Sequence, residues 1–305
     1  MRIAVIAIGS NSIRSLTATL AAPLGSPVRG RQETRLFLAL NEQMMFDQTA
    51  VNRLVDAVFL LKQQALENGA RHIHLLATSA VRDSGNAREL ARALKKETGL
   101  HLRILTGQQE AALSFLGAAY PFDDNGQIGV IDIGGGSTEI ALGSVARLQT
   151  AHSLQLGASR LHRINPVIDL LHMEAALAHA RQVALTQLTD VRARADARWL
   201  LVGGTGTALM GLHKGRLLPT GSPDEAFTLA QARAVLRHLA PLTPEERSAL
   251  PGMMPGREHI LPTGLCILIA LMEQLDIAEA HVTTRNNTDG FLFEQYRERE
   301  RGHGH

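Results

Sequence analysis

The stretch VIDIGGGSTEIAL (residues 130–142) places an acid, three consecutive glycines, two hydroxyl side chains and a second acid within eight positions. Glycine has no Cβ, so such a turn takes unusual backbone angles and brings N–H groups close to an anion. Ser137 and Thr138 add hydroxyl donors. Asp132 and Glu139 are hard oxygen ligands of the kind Mg2+ accepts beside phosphate and water. The residues after the glycines alternate as a strand. A P-loop or dinucleotide turn must instead open a helix, and no Gly-Lys-Ser/Thr is present. The pattern points to a strand–turn–strand clip for phosphate held by Gly134, Gly135, Gly136, Ser137 and Thr138. A glycine hairpin without ligand, flanked by solvated strand-end acids, is the plainer alternative.

The same device opens the chain. VIAIGSNS (residues 5–12) also runs from a strand into a tight turn, offering Ser10, Asn11 and Ser12, and IRSLTATL continues it as a second strand. Ala7 stands where the later copy has Asp132. A third cluster, VGGTGTAL (residues 202–209), follows a strand and precedes a helical run. The amides of Gly204, Thr205 and Gly206 would meet a second anionic group there. Clips of this type mark the fold of actin, sugar kinases and Hsp70. Glu110 falls in the first turn of a helix expected over 106–119, where an acid complements the helix dipole and stays ionised, as a base for water must. On pattern alone, an acid in that place is more often decoration than catalyst.

These residues must be positioned by alternating strands and helices. Strand patterns fall at 2–8, 72–77, 100–105, 128–133, 138–142, 198–202 and 280–283. Helical patterns fall at 50–68, 86–98, 106–119, 173–195, 228–239, 243–249, 263–275 and 288–299. Asn86 and Glu89 have capping-box spacing, as do Thr106 and Gln109. This is an α/β architecture. Turn-formers and acids cluster in PFDDNGQ (121–127), just before the second clip, so the boundary between two related domains is placed there. The expected division is 1–121, with a C-terminal helix at 288–300 packing back on it, and 122–287. RGHGH reads as a flexible tail.

Composition narrows the function classes. The chain has 305 residues, 45% hydrophobic and 20% charged, which is ordinary for a globular enzyme. A net charge of +2 gives no broad field for duplex nucleic acid, although a pI near 9.0 suits an anionic ligand. One cysteine, Cys266, excludes a disulfide framework. No secretory signal pattern opens the sequence, and its longest apolar run (265–272) is too short for a bilayer, so a cytoplasmic protein without a membrane partner is expected. His72, His74, His172 and His179 form no zinc pattern.

In sum the motifs resemble the exopolyphosphatase / guanosine pentaphosphate phosphohydrolase family. The matching pieces are IGSNSIR, ATSAVRDSGN, TGQQEAALSFLG, VIDIGGGSTEIALG, LQLGASRL and VGGTGTA, which occur in family order across nearly the whole chain. The resemblance implies a two-domain actin-like, ribonuclease H-like fold with an interdomain cleft. It implies Mg2+-dependent removal of the terminal phosphoryl group of inorganic polyphosphate or of the 5′ γ-phosphate of guanosine pentaphosphate, and it makes a homodimer the oligomer to expect. It maps the catalytic glutamate to Glu110, the metal-site acids to Asp132 and Glu139, and a phosphate-binding arginine to Arg82. Two departures stand out: relatives usually carry Asp at the position of Ala7, and Asp and Arg at those of Thr284 and Thr288. A catalytically weakened sensor of polyphosphate or alarmone is therefore one rival expectation, and a phosphotransferase kinase is another.

Overall fold

The computed structural model describes residues 1–122, 126–188, 197–219, 222 and 224–302. The chain divides into two compact units: Met1–Phe122 with Asn287–His305, and Asp123–Asn286.

The first unit contains β1 (Arg2–Ile8), β2 (Ser12–Thr19), β3 (Gly25–Glu33), a 3-10 turn (Leu36–Ala39), α1 (Gln48–Glu67), β4 (His72–Ala77), α2 (Ser79–Arg82), α3 (Ala87–Thr98), β5 (Leu102–Ile104) and α4 (Gly107–Ala119). Its sheet has the order β3-β2-β1-β4-β5. β1, β2 and β3 are antiparallel, whereas β4 and β5 run parallel to β1. Alternation along β1 divides its side chains between two cores. Ile6 and Ile8 pack with Leu54, Val58 and Leu61 of α1 and with Leu90 and Leu94 of α3. Ile3, Val5 and Ala7 pack on the opposite face with Leu16 and Leu113.

The second unit contains β6 (Ile128–Ile133), β7 (Thr138–Gly143), β8 (Leu148–Leu154), α5 (Ala158–Ile164), α6 (Leu170–Gln187), β9 (Arg198–Val202), α7 (Gly204–Lys214), β10 (Glu225–Thr228), α8 (Leu229–Leu239), α9 (Pro244–Ser248), α10 (Leu261–Gln274) and β11 (Glu279–Val282). Its sheet order is β10-β11-β9-β6-β7-β8. Read from β8, it repeats the first sheet strand for strand and adds the antiparallel edge β10. The apolar run at 265–272 lies inside α10, a helix buried from Leu261 to Met272, which explains why it is apolar on every side.

The chain then returns to the first unit as α11 (Asn287–Gly302). Its Gly290 lies so near α4 that a Cβ there would stand 1.9 Å from the Leu113 carbonyl oxygen. Arg29 of β3 holds the buried Asp289 with two hydrogen bonds, at 3.0 and 2.5 Å. Tyr120 stacks on Phe293 with ring centroids 4.7 Å apart.

Several boundaries differ from the sequence reading. α1 begins at Gln48 because Asp47 accepts a hydrogen bond from the Ala50 amide and caps it. Thr106 and Gln109 do form a capping box, but Asn86 and Glu89 do not. The Asn86 side chain pairs instead with both backbone groups of Phe46. The expected helix end at 195 and the tail at 303–305 lie outside the described residues, as do 123–125 of the expected boundary segment. The strands that the pattern missed, β3, β8 and β10, are all sheet edges. These three strands bury few of their residues and so lack the alternation that reveals a strand, whereas β5, also an edge, falls within the expected strand at 100–105. No helix among the described residues is long and apolar enough to cross a membrane.

Candidate active site

The turn between β6 and β7 is built to present amides. The Gly134 amide donates to the Ser137 carbonyl at 3.0 Å and closes the turn. The Gly134 carbonyl accepts from the Ala158 amide, and the Gly135 carbonyl from those of Ser159 and Arg160. Arg160 Nε donates to the Gly136 carbonyl at 2.7 Å. A planar trans peptide sets its N–H opposite its C=O. Pulling three carbonyls onto the first turn of α5 therefore turns the amides of Gly135, Gly136 and Ser137 the other way. None of these three amides has a partner among the described residues. Gly157 allows the approach, since a Cβ there would lie 2.4 Å from the Gly135 carbonyl oxygen.

Asp132 and Glu139 are directly opposite in the antiparallel register and so share a face of the sheet. Glu139 is buried, and its Oε1 accepts from Ser137 Oγ at 2.7 Å and Ser153 Oγ at 2.8 Å. The Thr138 hydroxyl donates to the Leu156 carbonyl at 2.5 Å. The hydroxyl protons of Ser137 and Thr138, expected to face a ligand, are thus directed inward, and the turn's outward donors are its amides. Among the described residues no group of three or more His, Cys, Asp or Glu side chains forms a metal cluster. A carboxylate pair beside free amides fits the needs of Mg2+, which takes one or two carboxylates and fills its remaining positions with water and phosphate oxygen.

The turn between β1 and β2 repeats this construction. The Gly9 amide donates to the Ser12 carbonyl at 3.1 Å. The Ser10 carbonyl accepts from the Phe37 amide, and the Asn11 carbonyl from those of Thr34 and Arg35, so the Asn11 and Ser12 amides turn away from that side. Ser10 Oγ meets Ser79 Oγ of α2 at 2.9 Å, and Asn11 Nδ2 donates to Glu33 Oε2 at 3.1 Å. Ala7 is opposite Arg14, as Asp132 is opposite Glu139.

The third glycine cluster lies between β9 and α7. Gly203 has φ +91°, and a Cβ there would stand 2.7 Å from Asp132 Oδ1, so this position must stay glycine beside the acid. Gly204, Thr205 and Gly206 form the first turn of α7, whose leading amides have no intrahelical acceptor. The buried Arg257 guanidinium lies on Gly204, where a Cβ would be 2.0 Å from Nη2. Sequence reasoning missed Arg257 because MMPGREHI carries no spacing signal. It also passed over Ser153, Ser79 and Arg160, although Arg160 belongs to the quoted LQLGASRL. Thr205 Oγ1 is buried and has no hydrogen-bond partner among the described residues.

Glu110 is in the first turn of α4, directly after the capping box of Thr106 and Gln109. Its side chain is only 8% exposed. Arg82, the last residue of α2, donates through Nη1 to Glu110 Oε2 at 2.9 Å and to the Leu105 carbonyl at 3.0 Å. Within the first unit, then, two expected site residues from separate motifs form one ion pair. An acid that only decorated a helix would be solvated and would not face a fixed guanidinium.

Two units with one strand order, each opening on a glycine clip with outward amides, define an α/β protein of the two-domain actin-like fold. The chain belongs to the Ppx/GppA phosphatase family, whose sequence model matches residues 25–298. The guanosine-5′-triphosphate,3′-diphosphate pyrophosphatase of Aliivibrio fischeri is 25% identical over 281 residues, covering 90% of this chain and 55% of that protein. The Vibrio vulnificus protein of that name is 25% identical over 300 residues, covering 97% and 59%. The chain thus spans a little over half the length of these relatives. Among solved structures, a Ppx/GppA family member from Aquifex aeolicus shares the fold with a TM-score of 0.80 at 22% identity, over 98% of both chains. An exopolyphosphatase from Cytophaga hutchinsonii does so with a TM-score of 0.86 at 21% identity, again over 98% of both.

Proposed function

We propose that this protein is a phosphohydrolase that removes the terminal phosphoryl group of inorganic polyphosphate or the 5′ γ-phosphate of guanosine pentaphosphate. The observation that carries this reading is the buried Glu110 carboxylate fixed by Arg82 at 2.9 Å. Glu110 takes the proton of the attacking water as general base. Arg82 orients that carboxylate and offers its remaining guanidinium edge to a phosphoryl oxygen. The outward amides of Gly135, Gly136 and Ser137 in the second unit suit phosphate oxygens, as do those at the start of α7, and the first clip offers amides of the same kind in the first unit. These dipoles are set before substrate arrives, so they stabilise developing charge without reorganisation. Asp132 and Glu139 would hold Mg2+, which would offset negative charge on a phosphoryl group bound beside them.

Ala7 favours a second reading, in which a relative lacking one acid binds polyphosphate or alarmone tightly and turns it over slowly. One experiment separates the two. Phosphate release from long-chain polyphosphate and from guanosine pentaphosphate is measured with and without Mg2+, for the native protein and for Glu110→Gln. The hydrolase requires Mg2+-dependent release that collapses in the variant. Tight binding of either substrate without release selects the sensor.

A further inference from the structure

Among the described residues six large apolar side chains are more than half exposed, and five of them lie between Ile164 and Leu185. They are Ile164, Ile168, Leu170, Leu171 and Leu185, and α6 carries the last three. Leu171 is the extreme case at 77%. Single apolar side chains in water are ordinary, but a concentration along one helix marks a surface for contact. The buried face of α6 is formed by Met173, Ala176, Leu177, Ala180 and Ala184. On its exposed side Leu171, Glu174, Ala178, Arg181 and Leu185 follow one another at alternating spacings of three and four, so they share one face.

The C-terminal half of this face is hollow. Ala178, Arg181 and Leu185 of α6, with Ala270 and Glu273 of α10, line a groove of about 400 Å3. Glu273 accepts Nε and Nη2 of Arg181 at 2.7 and 3.0 Å, and Nη2 of Arg233 at 2.7 Å. Two guanidinium groups on one carboxylate leave one positive charge at the groove. The N-terminal half of the same face carries the complement: Leu171 as an apolar knob and Glu174 as an exposed acid.

A twofold axis brings knob and groove together. When two copies of α6 lie antiparallel about Ala178, Leu171 is level with the partner's Leu185, because each is seven residues from the axis. A rise of about 1.5 Å per residue sets Glu174 within about 1.5 Å of the level of the partner's Arg181. Glu174 and Arg181 both lie to the same side of Ala178, about 40° and 60° round the helix, so they meet on one flank of the pair. A small side chain at the centre lets helix axes approach to about 8 Å. We infer that a second copy of this chain docks on α6. Leu171 of each copy enters the α6–α10 groove of the other, and Glu174 pairs with the partner's Arg181. Every contact occurs twice, and the assembly closes at two copies. The interface lies within the second unit and is independent of the phosphohydrolase reading.

The test is sedimentation equilibrium of the full chain, which at about 100 µM should give twice 33.0 kDa. Leu171→Asp places a charge where the groove takes an apolar side chain, and should raise the dimer dissociation constant at least about tenfold. Glu174→Lys turns two ion pairs into two like-charge contacts and should raise it about tenfold. Both positions are exposed, so the unfolding midpoints should hold. Ala178→Cys should oxidise to a disulfide between copies much faster than Leu66→Cys on exposed α1 surface, since a residue on the twofold axis meets its own counterpart. A native monomer overturns the inference and leaves this face to a different partner. A dimer unaffected by Leu171→Asp, or a mass above two copies, shows association elsewhere and overturns it too. Cross-linking of Ala178→Cys no faster than that of Leu66→Cys overturns the pairing about Ala178.

Discussion

Glu110 and Cys266 are both buried ionisable groups, and their surroundings give them opposite chemistry. Glu110 faces a fixed guanidinium at the start of a helix, where negative charge is favoured. Removing its basicity with Glu110→Gln keeps the shape and should lower the rate of phosphate release by about a hundredfold to ten-thousandfold, with substrate affinity little changed. Equal decline of rate and affinity would instead mean that the residue holds substrate and is not the base. Cys266 lies within α10, and burial pushes its thiol up to about 12. The thiolate is the reactive form, so the folded protein should resist a thiol reagent at neutral pH and react only once unfolded. Fast labelling of the native protein would contradict this burial.

At the scale of elements, two arginines hold helices in place. Arg247 is buried and donates to the carbonyls of Leu239 at 3.0 Å, Val167 at 2.9 Å, Glu258 at 3.3 Å and Ala240 at 3.4 Å. Burial lowers its pKa. Two of those carbonyls belong to the end of α8, where the helix itself supplies no donor. Arg247→Met fills the space but leaves the carbonyls unmet, so it should cost about 2–4 kcal/mol in denaturant unfolding. Arg29 and Asp289 join β3 to α11 in a similar way. Asp289→Asn should destabilise the protein by about 3 kcal/mol, the lower end for a broken buried pair, because the Arg29 side chain is 24% exposed. A change below about 0.5 kcal/mol, the level of a surface pair, would show that this pair does not fasten α11.

For the whole molecule the expected effect is a pH dependence of stability. His162 in the second unit has a lowered pKa, chiefly through desolvation and then through His259 and Arg247. His74 in the first unit is lowered by desolvation, then by His72 and Arg103. A histidine depressed below its ordinary value of 6.5 takes up its proton more readily when the chain is unfolded. Stability is therefore fully present above pH 6.5 and is lost as pH falls through the lower folded-state values. The thermal unfolding midpoint should drop between pH 7.5 and pH 5, and His162→Asn should flatten part of that slope. A midpoint that does not change across this range would contradict it.

What was readable in the amino-acid order, and what was not, follows from how far each signal reaches along the chain. The clips at 5–12 and 130–137, the central strands β1, β4, β6 and β9, and the capping box that starts α4 are local. Each follows from glycine, alternation or a side chain bonding three residues away, so the α/β class and most candidate residues could be read from sequence. The edge strands β3, β8 and β10 could not, because strands that bury little carry no alternating pattern. Asn86 has capping-box spacing with Glu89, but Phe46, 40 residues away in sequence, takes its hydrogen bonds instead. Sequence spacing likewise could not show that Arg82 holds Glu110, that Arg257 lies on Gly204, or that Ser153 shares the Glu139 carboxylate with Ser137. The sequence by itself determined which residues could do chemistry, since local geometry depends on near neighbours. Only the tertiary structure decided which of them meet, because strand register and helix packing bring together residues whose separation in sequence carries no information about their distance.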